Sequence, residues 1–96
     1  MTNAEKRHLD LVANLGCIVC RNLGHGQTPA EIHHKRAGTG LKRANHYQVI
    51  PLCHQHHRTG GYGVAIHAGI KKWTMLYGTE EELIAQVNEL IEKGYL

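Results

Sequence analysis

The chain has few cysteines and no long apolar run. Three cysteines, Cys17, Cys20 and Cys53, are too few for a disulfide scaffold. Without secretory context, such thiols point instead to a metal or redox role. The N-terminus, Met1-Thr2-Asn3-Ala4-Glu5-Lys6, has no apolar core of a signal peptide. No run approaches the length needed to span a bilayer. These absences lead us to expect a cytosolic protein with no membrane association. Repeats, linkers and low-complexity tracts are missing too, so residues 1–96 read as a single domain. A chain this short buries a limited core and gains from a structural metal.

What the sequence has in quantity is histidine. Seven of its nine histidines, His33, His34, His46, His54, His56, His57 and His67, fall between Glu31 and His67. Imidazole is the commonest protein metal ligand and the usual general base near neutral pH. Eleven Lys+Arg against eight Asp+Glu give a net charge of +3. Lys35, Arg36, Lys42, Arg43, Arg58, Lys71 and Lys72 lie in or near the histidine stretch, while acids gather toward the C-terminus. A positive face beside a metal site suits a phosphate-backbone substrate; ordinary solvated charge is the plainer reading of the same residues.

Thr2 and Glu5 have capping-box spacing, and Leu9, Val12 and Ala13 repeat at helical intervals before Gly16. A first helix is expected over residues 4–15. Cys17-x-x-Cys20 forms a tight knuckle at 17–20, followed by a polar loop. A strand over about 30–35 carries His33 and His34 on opposite faces. After the Gly- and cation-bearing stretch 37–44, Tyr47 to Pro51 has strand character and can pair with it as a hairpin. A short helix then carries His54, His56 and His57, ended by Thr59-Gly60-Gly61. Further helices are expected at about 68–77 and 80–93, the second opened by the capping box Thr79-Glu80-Glu81-Glu82.

Two constellations follow from this layout. Cys17 and Cys20 need two more ligands for a closed tetrahedral site, and Cys53-x-x-His56 supplies them with the same gap. Such a knot would join the end of the first helix to the start of the central one. Buried free thiols are the plainer alternative. A redox pair is weaker, since no alternating βαβ pattern surrounds it. His57 follows the zinc ligand directly and leaves the helix in another direction, toward His33, with His67 as a third ligand. Three neutral ligands leave open positions for water and a phosphate oxygen. His34, on the other strand face, is then placed to take a proton from the attacking water.

Cys17-x-x-Cys20, Glu31-Ile32-His33-His34 and Leu52-Cys53-x-x-His56-His57 resemble the HNH (ββα-metal) endonucleases. The longer runs Pro29-Ala30-Glu31-Ile32-His33-His34, Ile50-Pro51-Leu52-Cys53-x-x-His56-His57-Arg58 and Tyr77-Gly78-Thr79-Glu80-Glu81-Glu82-Leu83 resemble the phage recombination-enhancement, RecA-dependent nuclease family. The likeness spans about Cys17 to Val87. It implies an α+β fold: a small ββα-metal core at about 30–67, with a structural zinc knuckle and flanking N- and C-terminal helices. It also implies that His33 binds metal where many relatives have Asp, that His34 is the general base, and that His57 is the final metal histidine. His56 stands where many relatives have the fourth zinc cysteine, and His67 resembles a downstream histidine that completes the metal site. Asn45 and His46 compete for the middle position that orients the base, with the recombination-nuclease likeness favouring His46. The sequence departs from a phage member in having no long basic N-terminal extension.

The function so implied is a metal-dependent DNA endonuclease, associated with phage or prophage recombination in the host cytosol. Its expected cofactors are a structural Zn2+ and a catalytic divalent cation, Mg2+, Mn2+, Ni2+ or Zn2+. Its expected partners are DNA, bound with weak sequence specificity through Lys35, Arg36, Lys42, Arg43 and Arg58, and a RecA-type recombinase filament. A non-catalytic zinc-stabilised DNA- or protein-binding module is the rival from another class, and an RNA-directed nuclease is a third reading. Metal counting separates the first two, since only a nuclease needs a second, exchangeable ion.

Overall fold

A computed structural model describes residues 1–36 and 45–94. The expected loop 37–44, with Lys42 and Arg43, lies outside the described residues. Helix α1 (Asn3–Asn14) opens on a closed capping box: Glu5 N donates to Thr2 Oγ1 at 3.1 Å, and Thr2 N to Glu5 Oε1 at 2.8 Å. Its buried face carries Val12 and delivers Leu15 to the core. Beyond Leu15, Gly16 adopts φ +78°, a left-handed conformation that frees the chain from the helix. Cys17 N then donates to Thr28 O at 2.8 Å.

The knuckle is itself a short helix, α2 (Ile18–Asn22), capped by the Cys17 side chain. The sequence reading treated this stretch as knuckle and loop, because five residues are too few to show a helical period. Strands β1 (Glu31–His34) and β2 (Val49–Leu52) pair antiparallel, with His33 opposite Ile50 and His34 opposite Val49. Every residue of β2 is buried, whereas in β1 only His33 is. Pro51 brings no backbone donor, which a two-stranded sheet tolerates because each strand has an unpaired edge. Helices α1, α2 and α4 all pack on β2, making it the centre of the core.

After β2 the chain makes a π-helical turn (Gln55–Thr59), in which Gly60 N reaches back to Gln55 O at 2.9 Å. Gly60 is required there: a side chain would run into Val64 and the Gln55 carbonyl. A short 3₁₀ turn (Ile66–Ala68) leads into α3 (Ile70–Tyr77), which buries Trp73. Helix α4 (Glu80–Glu92) opens on a second closed capping box, Thr79 with Glu82, and buries Glu80, Leu83 and Val87. No helix among the described residues is long and apolar enough to cross a membrane.

The core comprises Val12, Leu15, Ile18, Val19, Val49, Ile50, Leu52, Ile66, Trp73, Leu83 and Val87, with the three cysteines at its edge. Each large apolar side chain buried there contributes about 1.5–3 kcal/mol, most of it consumed by ordering the backbone. A structural metal, at about 10 kcal/mol or more of apparent binding energy, is therefore large beside the net stability.

Gly16 is the hinge between this core and the first two thiols. A Cβ there would lie 2.7 Å from Gln27 Cγ and 2.9 Å from Thr28 O. We expect Gly16→Ala to cost about 1–3 kcal/mol in urea unfolding of the metal-loaded chain. An unchanged midpoint would show that the turn is not held by this contact.

Candidate functional site

The first metal-ligating cluster forms where α2 meets the end of β2. Cys17 and Cys20 come from the cap and body of α2, Cys53 follows β2, and His56 projects from the π turn. All four are buried, and one ligand atom from each lies within 4.8 Å of the others. His56 Nδ1 sits 3.6 Å from the sulfurs of Cys17 and Cys20 and 3.2 Å from that of Cys53. Cys20 and Cys53 Sγ are 3.9 Å apart. A tetrahedral zinc with bonds of about 2.3 Å to sulfur and ~2.05 Å to nitrogen has edges of about 3.8 Å (S–S) and ~3.6 Å (S–N). The spacings match those edges to within a few tenths of an ångström.

The electrostatics agree with that use. Burial pushes the Cys17 thiol up to about 12; the neighbouring thiols add to this, and backbone donors oppose it. A thiol so placed binds a cation only by giving up its proton, so metal uptake at Cys17 would displace one. Burial, helped by the charge of His25, lowers the pKa of His56 and keeps its ring neutral, with a lone pair to offer. Tyr77 packs edge-on against that ring and is anchored by donating to Gly63 O at 3.0 Å. This buried Cys3His cluster could hold a metal ion such as zinc.

The second cluster brings together His33 from β1, His57 from the π turn and His67 from the 3₁₀ turn. Again one nitrogen from each lies within 4.8 Å of the others. His57 Nε2 and His67 Nε2 are 3.0 Å apart, the edge expected between adjacent ligands with bonds of ~2.1 Å in an octahedral shell. Burial depth grades across the trio: His33 is buried, His57 half-buried and His67 exposed. The site thus opens to solvent on one side, as a catalytic ion needs.

Two carboxylates stand behind these rings. His33 Nε2 lies 2.7 Å from Glu80 Oε2, and both side chains are almost wholly inaccessible. His57 Nδ1 lies 2.8 Å from Glu31 Oε1, and Arg58 grips the same carboxylate through Nε and Nη2. Burial is the main cause lowering the pKa of His57, with Glu31 opposing it and His33 and Arg58 adding to it. His67 is lowered by burial first, then by His57, His33, Arg36 and Arg58. Its Nδ1 is 2.9 Å from Arg36 Nη1. A guanidinium can only donate, so this contact makes Nδ1 the acceptor and directs Nε2–H at His57.

A family model described as recombination enhancement, RecA-dependent nuclease matches residues 1–92. The chain belongs to that family. No curated protein matches it. In this member the histidine after the buried His33, His34, leaves the other strand face and meets His46, with Nε2 and Nδ1 3.1 Å apart. Asn45 instead accepts from Tyr47 N at 2.8 Å, closing a local turn. Of the two competitors for the middle position, the fold brings only His46 into contact with His34 among the bonds described.

The cations chosen for a phosphate backbone are partly committed within the protein. Lys35 pairs with Glu81 at 3.1 Å, Arg58 with Glu31, and Arg36 with His67. The exposed lysines of α3, Lys71 and Lys72, make no ion pair among the described residues. Sequence reasoning assigned no role to the two carboxylates behind the imidazoles. Glu31 carried a signal, being part of the histidine motif. Glu80 carried none, since it reads as one of three acids in the first turn of a helix.

Two outcomes follow for a transition ion titrated into the zinc-loaded chain. Because His57 and His67 are held below the ordinary 6.5, second-site affinity should be level from pH 7.5 to 6.5 and fall only below that; a steep fall already above pH 7 in calorimetry would contradict it. An ion also needs the Nε2 lone pair of His67, which the Arg36 contact occupies with a proton. Arg36→Gln should therefore tighten the second ion severalfold, and weaker binding would show that Arg36 supports the site instead.

Proposed function

We propose that this chain is an HNH-type, metal-dependent endonuclease that hydrolyses DNA phosphodiester bonds in recombination. The observation that carries the reading is the convergence of His33, His57 and His67, from three separate elements, beside a distinct Cys3His cluster. A purely structural zinc module accounts for the Cys3His cluster and leaves the histidine trio without a purpose. The family description, a nuclease of recombination that depends on RecA, supports both the reaction class and a recombinase filament as partner.

In this reading Cys17, Cys20, Cys53 and His56 hold a structural Zn2+, and His33, His57 and His67 hold the working ion. When bound, that ion supplies charge stabilisation at the phosphate and leaving oxygen. An all-imidazole set favours transition ions such as Mn2+, Ni2+ or Zn2+ over Mg2+. His34 is the general base. Its ring is paired with that of His46, Nε2 to Nδ1 at 3.1 Å, a contact that orients it for taking the proton of the attacking water. The water oxygen forms the new bond to phosphorus as the bond to the leaving oxygen breaks. Lys35, Arg36 and Arg58, with Lys42 and Arg43, position the backbone by charge, so sequence selectivity is weak. Engagement of DNA exchanges the internal partners of Lys35, Arg36 and Arg58 for phosphates.

Plasmid nicking with a panel of divalent ions tests this reading. His34→Ala should lose about 10²–10⁴-fold in rate while keeping one zinc per chain and the parent's unfolding midpoint. Full activity in that variant removes the base. A parent chain that binds a single ion and cuts neither naked nor recombinase-coated DNA would leave only a zinc-stabilised binding module.

A further inference from the structure

We propose that Glu80 is a positioning residue for the second metal site, setting the tautomer and orientation of His33 from behind the ligand shell. The inference rests on the reading of His33, His57 and His67 as ion ligands. Glu80 is 3% exposed and sits in the first turn of α4. Its Oε2 accepts from His33 Nε2 at 2.7 Å and from Arg36 N at 2.9 Å. It is not one of the three convergent groups, and it reaches them through the His33 ring.

The chemistry follows from what a carboxylate can do. It accepts and does not donate, so the His33 proton resides on Nε2 and Nδ1 is the nitrogen with a lone pair to offer an ion. The same contact fixes the plane of the ring, and with it the direction in which a lone pair can be offered to an ion. Burying a carboxylate is costly, and at the start of a helix an apolar residue would fill the space with less penalty. The helix N-terminus and the Arg36 amide offset part of that cost. Packing alone gives no reason for this choice, whereas orienting a ligand does. Glu81, one position on, provides the contrast: its side chain is 69% exposed and pairs with Lys35.

The test is calorimetric titration of Mn2+ or Ni2+ into the full chain already holding zinc in its cysteine cluster. Glu80→Gln keeps size and an acceptor oxygen but removes the charge. It should retain one zinc per chain and weaken the second ion by about 10–100-fold. Glu81→Gln, the same charge change without the contact, should stay within about twofold of the parent. Equal affinity for parent and Glu80→Gln, or equal weakening by Glu81→Gln, overturns the positioning role. Nitrogen-15 NMR of the parent's imidazoles gives a second measurement that needs no variant. A His33 proton on Nε2 supports the assignment, and a proton on Nδ1 overturns it. If the parent takes up no second ion, the nuclease reading of the trio falls and this inference with it. Uptake by the parent with Glu80→Gln unaffected overturns this inference alone.

Discussion

The meeting of Cys17, Cys20, Cys53 and His56 is the contact on which the rest of the molecule depends. It joins the end of the N-terminal helical segment to the exit of the central strand across a sequence gap of more than thirty residues. Neutral thiols and an imidazole give little cohesion by themselves, and three thiolates without a cation would repel. A soft divalent ion changes the sign of that interaction. In so small a fold, where apolar burial and chain entropy nearly cancel, one such crosslink would decide whether the strands have a fixed platform.

That platform matters because His56 and His57 are neighbours with opposite duties. His56 is turned inward to the thiols, and His57 is turned toward His33 and His67. The widened π turn gives the two side chains their separate directions, and such turns are commonly found at functional positions. Any force that stabilises the first cluster therefore also orients the second. The coupling runs through one peptide bond.

Around the histidine trio the charges are arranged in opposition. Glu80 and Glu31 stand behind two of the rings, and Arg36 stands behind the third. Carboxylates direct lone pairs inward, whereas the guanidinium directs a proton inward. His67 and His57 are joined by a hydrogen bond, which an ion held by both nitrogens would replace. The basic side chains here serve as internal partners, and a polyanion would compete for them. A substrate phosphate and an ion would be mutually supportive for that reason: the first attracts Arg36 away, the second requires its departure.

Much of this was legible in the residues alone. Two capping boxes, the helical stripes beneath them, and the gaps in Cys17-x-x-Cys20 and Cys53-x-x-His56 are local features, dictated by hydrogen-bond geometry within a few residues. The alternation that separates His33 from His34 is likewise local, because a strand reverses its side chains at each step. The choice of His46 over Asn45 as the contact of His34 was not local, nor were the short α2 helix and the π turn, whose lengths are below any detectable period. Least legible was Glu80, which is indistinguishable in sequence from the solvated acids beside it. Its burial against His33 depends on how α4 crosses the sheet, forty-seven positions away in the chain. Short-range spacing determines which groups can bind an ion; only long-range packing decides which charges stand behind them, because desolvation and orientation are properties of the assembled interior.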